Sequence, residues 1–113
     1  MNVIPIRRGD VVVVTAAGDY GKPRPAVVVQ TDAFPLTHAS VIVCQMTSKL
    51  ADLSFRVTIE PTPETGLQAR SQVMVDKPIT VRRDRIRQPI GRLGAVEVSH
   101  LNAVLAFVMG LSG

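Results

Sequence analysis

A chain of 113 residues holds one hydrophobic core and is too short for two ordinary domains, so residues 1–113 are expected to form a single domain. Thirteen Lys and Arg against nine Asp and Glu leave a formal charge of +4, a surplus that favours anionic partners such as nucleic acid, although charge of this size also serves plain solubility. No signal-peptide pattern opens the chain, and its longest apolar runs, 11–14 and 103–109, fall far short of the roughly 20 residues of a membrane helix. One cysteine, Cys44, permits no internal disulfide, and no second thiol or paired histidines stand at zinc-ligand spacing. The expectation is a soluble, cytoplasmic protein that uses no metal and no cofactor.

Valine and isoleucine occur in short blocks separated by Gly, Pro, Asp and Thr, the pattern of strands rather than helices. In chain order the blocks are 10–15 (DVVVVT), 25–31 (PAVVVQT), 40–46 (SVIVCQM), 55–60 (FRVTIE) and 72–76 (QVMVD), with a further short strand over 79–81. VVVV and VIV are apolar at consecutive positions and predict strands covered on both faces. FRVTIE alternates, which predicts one wet face. From 95 to 109 the pattern changes: Leu101, Val104, Leu105 and Val108 recur at helical spacing between Gly94 and Gly110, predicting a C-terminal helix that packs on the sheet. Phe55 and Phe107 are expected in the core, and Cys44 is expected as a small buried hydrophobe rather than a nucleophile.

The stretch GKPRPAVVVQTD, 21–32, carries the first candidate for chemistry. Pro25 holds Arg24 extended and Pro23 does the same to Lys22, so both cations lose freedom before meeting a ligand. Two readings of Arg24 stand: a planar fork aimed at a phosphate, or a salt bridge that closes the end of the barrel. Thr47 and Ser48, after the third strand, either supply hydroxyls to a ligand or make a turn. Asp76 stands where it can cap a turn before Pro78. The cluster VRRDRIR, with Arg82, Arg83 and Arg85, is a solvated face or an electrostatic track for RNA or for an acidic protein tail. With no tryptophan present, Tyr20 is the best placed aromatic for stacking on an unpaired base, or else it simply covers the barrel mouth. His38 and His100 are expected to be structural or solvent-facing.

RRGDVVVV at 7–14, KPRPAVVVQ at 22–30, QMTS at 45–48, SQVMVD at 71–76 and DRIRQPIGRL at 84–93 follow one another in an order that resembles the MazF/PemK/Kid toxins of bacterial toxin-antitoxin systems. The resemblance covers nearly the whole chain. It implies a mainly β fold, a small SH3-like barrel with a C-terminal α-helix, and a homodimer. It also implies a metal-independent endoribonuclease that cuts single-stranded RNA at short motifs and is silenced by a cognate antitoxin. In such enzymes the ribose 2′-hydroxyl attacks the adjacent phosphorus and leaves a 2′,3′-cyclic phosphate. The resemblance places Arg24 and Thr47 at the scissile phosphate, with Ser48 beside them, and gives Asp76 acid or base work. Tyr20, Lys22, Arg82, Arg83 and Arg85 are the RNA-binding candidates. Two departures stand out: Met74 replaces an arginine of Kid-like members, and the loop TAAGDYGKP lacks a histidine that some relatives carry there. The alternative is a non-enzymatic toxin of CcdB type, which shares the barrel and binds DNA gyrase through its C-terminal helix; the apolar tail AFVMGLSG is loosely similar.

Overall fold

Valines that alternate between two buried faces build the centre of the molecule. The computed structural model of the protein describes residues 5–15 and 22–112. Its strands are β1 (Asp10–Val14), β2 (Arg24–Val28), β3 (Ser40–Thr47), β4 (Arg56–Ile59), β5 (Ser71–Arg82) and β6 (Gly91–Arg92), followed by a helix, α1 (Ala95–Val108). They form one curled antiparallel sheet in the order β4-β5-β3-β2-β1-β6. This is the mainly β barrel-like architecture with a terminal helix that the sequence predicts. Val11 and Val27 face the side that α1 covers, whereas Val12, Val14, Ala26 and Val28 face the other, and none of the six is more than 2% exposed. At about 1.5–3 kcal/mol for each fully buried valine, this double-faced burial makes β1 and β2 the anchor of the sheet.

The opening RRGD is a structural turn. Gly9 takes φ +90° and donates its N–H to the Val28 carbonyl at 2.9 Å, while the buried Asp10 carboxylate accepts the Arg7 N–H at 2.9 Å. Pro25 occupies a strand flanked on both sides, where a missing donor is ordinarily costly. It is tolerated because β2 bridges to β3 only from Ala26 onward, so Pro25 pairs with Val13 of β1 alone.

Where sequence predicts two strands, at 72–76 and 79–81, the structure has one. β5 runs unbroken for 12 residues through an irregularity: Val73 pairs with Met46 and Pro78 with Cys44, so residues 74–77 stand opposite Gln45 alone. The excess residues bend the strand and seat Pro78 without a broken ladder. β6, two residues long, has no hydrophobic run to announce it. The wet face predicted for FRVTIE is present, with Val57 and Ile59 buried and Thr58 exposed. VIV is covered less completely than expected, because Ile42 is 38% exposed while its neighbours Val41 and Val43 are buried.

α1 packs on β4 and β5. Leu101 and Val104 are buried and Leu105 and Val108 half-buried on the same core, as their spacing predicts. The Glu97 carboxylate accepts the Gly94 N–H at 2.7 Å at the start, and at the end Gly110 turns at φ +75° so that the Leu111 N–H reaches the Ala106 carbonyl at 2.7 Å. Phe107 is a correction: it lies on the outer face, 62% exposed, while Phe55 packs against the core as expected.

The segment between β4 and β5 is locked onto β6. The buried Thr65 hydroxyl donates to the Glu60 carbonyl at 3.0 Å and accepts the Thr62 N–H at 3.0 Å, and the Arg92 N–H reaches the Glu64 carbonyl at 2.8 Å. The backbones then meet so closely that only glycine fits. A Cβ on Gly66, which also has φ +70°, would lie 2.0 Å from the Ile90 carbonyl oxygen, and one on Gly91 would lie 2.3 Å from the Thr65 carbonyl. Gly66→Ala and Gly91→Ala are expected to cost about 3 kcal/mol each in urea unfolding. Gly110→Ala, with a similar φ but nothing within 4 Å, is expected to cost only about 1 kcal/mol.

Candidate active-site cleft

β2 begins and β3 ends at the same rim of the sheet. Their register pairs Val27 with Cys44 and Ala26 with Gln45, the last bridge before the rim, and Arg24 and Thr47 each lie two residues beyond it on their own strands. On the other side β1 pairs Val14 with Arg24, so the arginine stands between two strands whose positions the valine core fixes.

A cleft of about 820 Å³ opens at this rim. Its lining includes Lys22, Arg24, Thr47, Ser48 and Lys49, and also the segment 66–69 together with Ser71 and Ile90. Arg24 and Thr47 are half-buried, and Lys22, Ser48 and Lys49 are exposed. Three cations line it, and among the described residues no carboxylate does. Thr47 serves a turn as well as the cleft: its hydroxyl oxygen accepts the Lys49 N–H at 3.1 Å, which leaves its own proton to donate. Behind it, the buried Gln72 amide pins the following segment by donating to the Ala51 carbonyl and accepting the Ala51 N–H, both at 3.0 Å. Arg24, Thr47, Ser48 and Lys22 are thus brought together, and Lys49 joins them. Lys49, Leu67, Gln68 and Ile90 are not among the residues sequence reasoning selected. Lys49 directly follows the Thr-Ser pair and could have been taken with it, whereas the others carry no motif.

The remaining candidates lie elsewhere. Asp76 is exposed in the irregular part of β5, outside the cleft lining, and its charge bears on Cys44. Arg82, Arg83 and Arg85 gather where β3 begins, at the far end from Thr47; over the 8 residues of β3 that is about 23 Å. Arg82 pairs with Asp84 at 2.6 Å, and the Arg83 Nε donates to the His38 carbonyl at 2.6 Å. Tyr20 lies outside the described residues. His38 and His100 are both exposed and neither lines the cleft. No group of three or more potential ligands that could hold a metal ion occurs among the described residues.

Cys44 is fully buried, and burial, reinforced by the Asp76 carboxylate, pushes its thiol up from about 9 to about 11. It is a neutral core side chain at physiological pH, as its strand position predicts. Below pH 9 the thiol is protonated in the folded and unfolded chains alike. Between pH 9 and 11 only the unfolded chain ionises, so stability falls as pH rises through that window. Relative to Cys44→Ala, the wild type is expected to lose about 2–3 kcal/mol more between those limits in urea melts.

Residues 7–109 match the family described as PemK-like, MazF-like toxin of type II toxin-antitoxin system, and the chain belongs to that family. A protein of Mycolicibacterium smegmatis named "Probable endoribonuclease MazF" is 40% identical over 110 residues, covering 96% of this chain and all of that one. Among solved structures, a mycobacterial endoribonuclease in complex with its cognate antitoxin superposes with a TM-score of 0.82 at 21% identity, over 96% of this chain and 99% of that one. A MazE-MazF complex from Deinococcus radiodurans gives 0.77 at 19% identity, over 98% of this chain and all of the other. These relatives favour the ribonuclease reading over the gyrase-binding alternative.

Proposed function

We propose that the protein is a toxin endoribonuclease that cleaves single-stranded RNA in the cleft between Arg24 and the segment 66–69, without metal, and that a cognate antitoxin silences it. The observation that carries this reading is the presence of Arg24 and Thr47 together in the lining of one cation-lined cleft. Attack of a ribose 2′-hydroxyl on its own phosphate builds negative charge on the non-bridging oxygens. The Arg24 fork, held extended by Pro25 and flanked by Lys22 and Lys49, offsets that charge. The Thr47 and Ser48 hydroxyls orient the phosphate or the attacking oxygen. The 2′-hydroxyl gives up its proton to solvent as its oxygen bonds to phosphorus, and the 5′-oxygen leaves phosphorus and takes a proton from solvent, giving a 2′,3′-cyclic phosphate and a free 5′-hydroxyl. Asp76 lies outside the cleft lining and is assigned a supporting electrostatic part. Arg82, Arg83 and Arg85 act at a distance, drawing in RNA or an acidic partner.

The cleft's cations suit an acidic antitoxin segment as well as they suit RNA, so the two are expected to compete. A homodimer is part of the same proposal, as is one domain spanning the whole chain. The test is incubation with a long single-stranded RNA in EDTA, with the ends mapped. The wild type is expected to give discrete cuts ending in cyclic phosphate, and Arg24→Ala to cut about 10²–10³-fold more slowly, as befits loss of a group that stabilises developing charge. Asp76→Asn is expected to slow cutting less than about tenfold; a loss as large as that of Arg24→Ala would make the carboxylate the proton acceptor. Intact RNA with the wild type would overturn the reading.

A further inference from the structure

The cations of the cleft cannot choose among RNA sequences, because the phosphate is the same at every nucleotide. Other residues of the lining are of different character. Ile90, 42% exposed, and Leu67, half-buried against the core, add apolar surface, and the exposed Gln68 follows Leu67 in the chain. Two of the chain's other glutamines serve structure, and the exposed Gln88 lies outside the cleft lining. Gln30 clips the Ser40 carbonyl and the Ile42 N–H, Gln72 clips Ala51, and the Gln45 side chain is not in the cleft lining. The Gln68 amide makes no hydrogen bond to another described residue.

Its backbone, by contrast, is held at both ends. Gly66 is wedged against the Ile90 carbonyl, and its N–H reaches the Thr62 carbonyl at 2.9 Å. On the far side the Ser71 hydroxyl donates to the Ala69 carbonyl at 2.9 Å, and Arg70 pairs with Glu60 at 3.0 Å. An uncommitted amide on a backbone held at both ends, in the same cleft as apolar surface and three cations, is the arrangement needed to read a base edge: one donor, one acceptor and a place for the flat face.

We propose that Gln68 is a specificity-determining residue, hydrogen-bonding the edge of a base that flanks the scissile phosphate while Leu67 and Ile90 receive its face. The inference rests on the ribonuclease reading of the cleft. It predicts that Gln68 sets the preference at one position of the cleavage motif and leaves the chemical step intact. Gln68→Glu keeps the shape of the side chain and exchanges its donor for an acceptor, so it changes the base preferred at that position, whereas Gln68→Ala removes the preference there.

The experiment maps cuts by wild type, Gln68→Ala and Gln68→Glu in a randomised single-stranded RNA. In parallel, a 2′-O-methylated version of the same library, which lacks the attacking hydroxyl, is selected for binding. The expected result is a motif altered at one position in both variants, with roughly tenfold discrimination lost at that position in Gln68→Ala and thermal melting unchanged. An unchanged motif in both variants, or loss of preference at every position together, overturns the assignment. If the wild type cuts nothing, the ribonuclease reading fails on its own, and the binding selection still decides whether Gln68 discriminates bases.

Discussion

The register of β2 against β3 is the constraint on which the site depends. A strand carries its side chains on alternate faces, so a slip of one residue would exchange the buried valines for their neighbours and carry Arg24 to the other side of the sheet. That slip is prohibited by packing: Val27 and Cys44 belong to the core under α1, while Ala26, Val28 and Val43 belong to the opposite core. The placing of Arg24 and Thr47 at one cleft therefore follows from burial on two faces.

Proline and glycine complete what the valines begin. Pro23 and Pro25 narrow the backbone around Lys22 and Arg24, so less conformational entropy is lost when they meet an anion. Gly66 and Gly91 let two backbones approach to a distance no side chain would allow, which fixes the start of the segment 66–69 in the cleft lining. The cleft is thus set partly by the sheet and partly by a backbone clasp.

The legibility of these features follows their physics. Burial and periodicity are written locally, so β1, β2, β4 and α1 are readable from runs of valine and from Leu101, Val104, Leu105 and Val108. Arg24 was readable because two prolines flag it, and Thr47 because it follows a strand and matches a family motif. The continuity of β5 was not, since Lys77 and Pro78 read as a break until β3 supplies a partner that tolerates extra residues. Phe107 reads as core by residue type, yet it stands on the outer side of α1. Gln68 and Ile90 reach the cleft only because Gly66 meets Ile90 across a large gap in sequence, and no local pattern encodes that meeting.

The mixed lining of the cleft, with cations and apolar side chains, has a consequence for control. On the proposed reading, the attraction of Lys22, Arg24 and Lys49 for anions is salt-dependent and unselective, so it offers an acidic protein segment the same attraction it offers RNA. An inhibitor that borrowed only this attraction would be displaced by bulk RNA, which is present in excess and carries the same charge. Effective silencing therefore has to draw on surface that RNA phosphate does not use, and the apolar side formed by Leu67 and Ile90 is the surface adjacent to the cations that provides it. On this argument, sequence choice and inhibition draw on the same apolar residues of the cleft, and the cations Lys22, Arg24 and Lys49 are common ground for both.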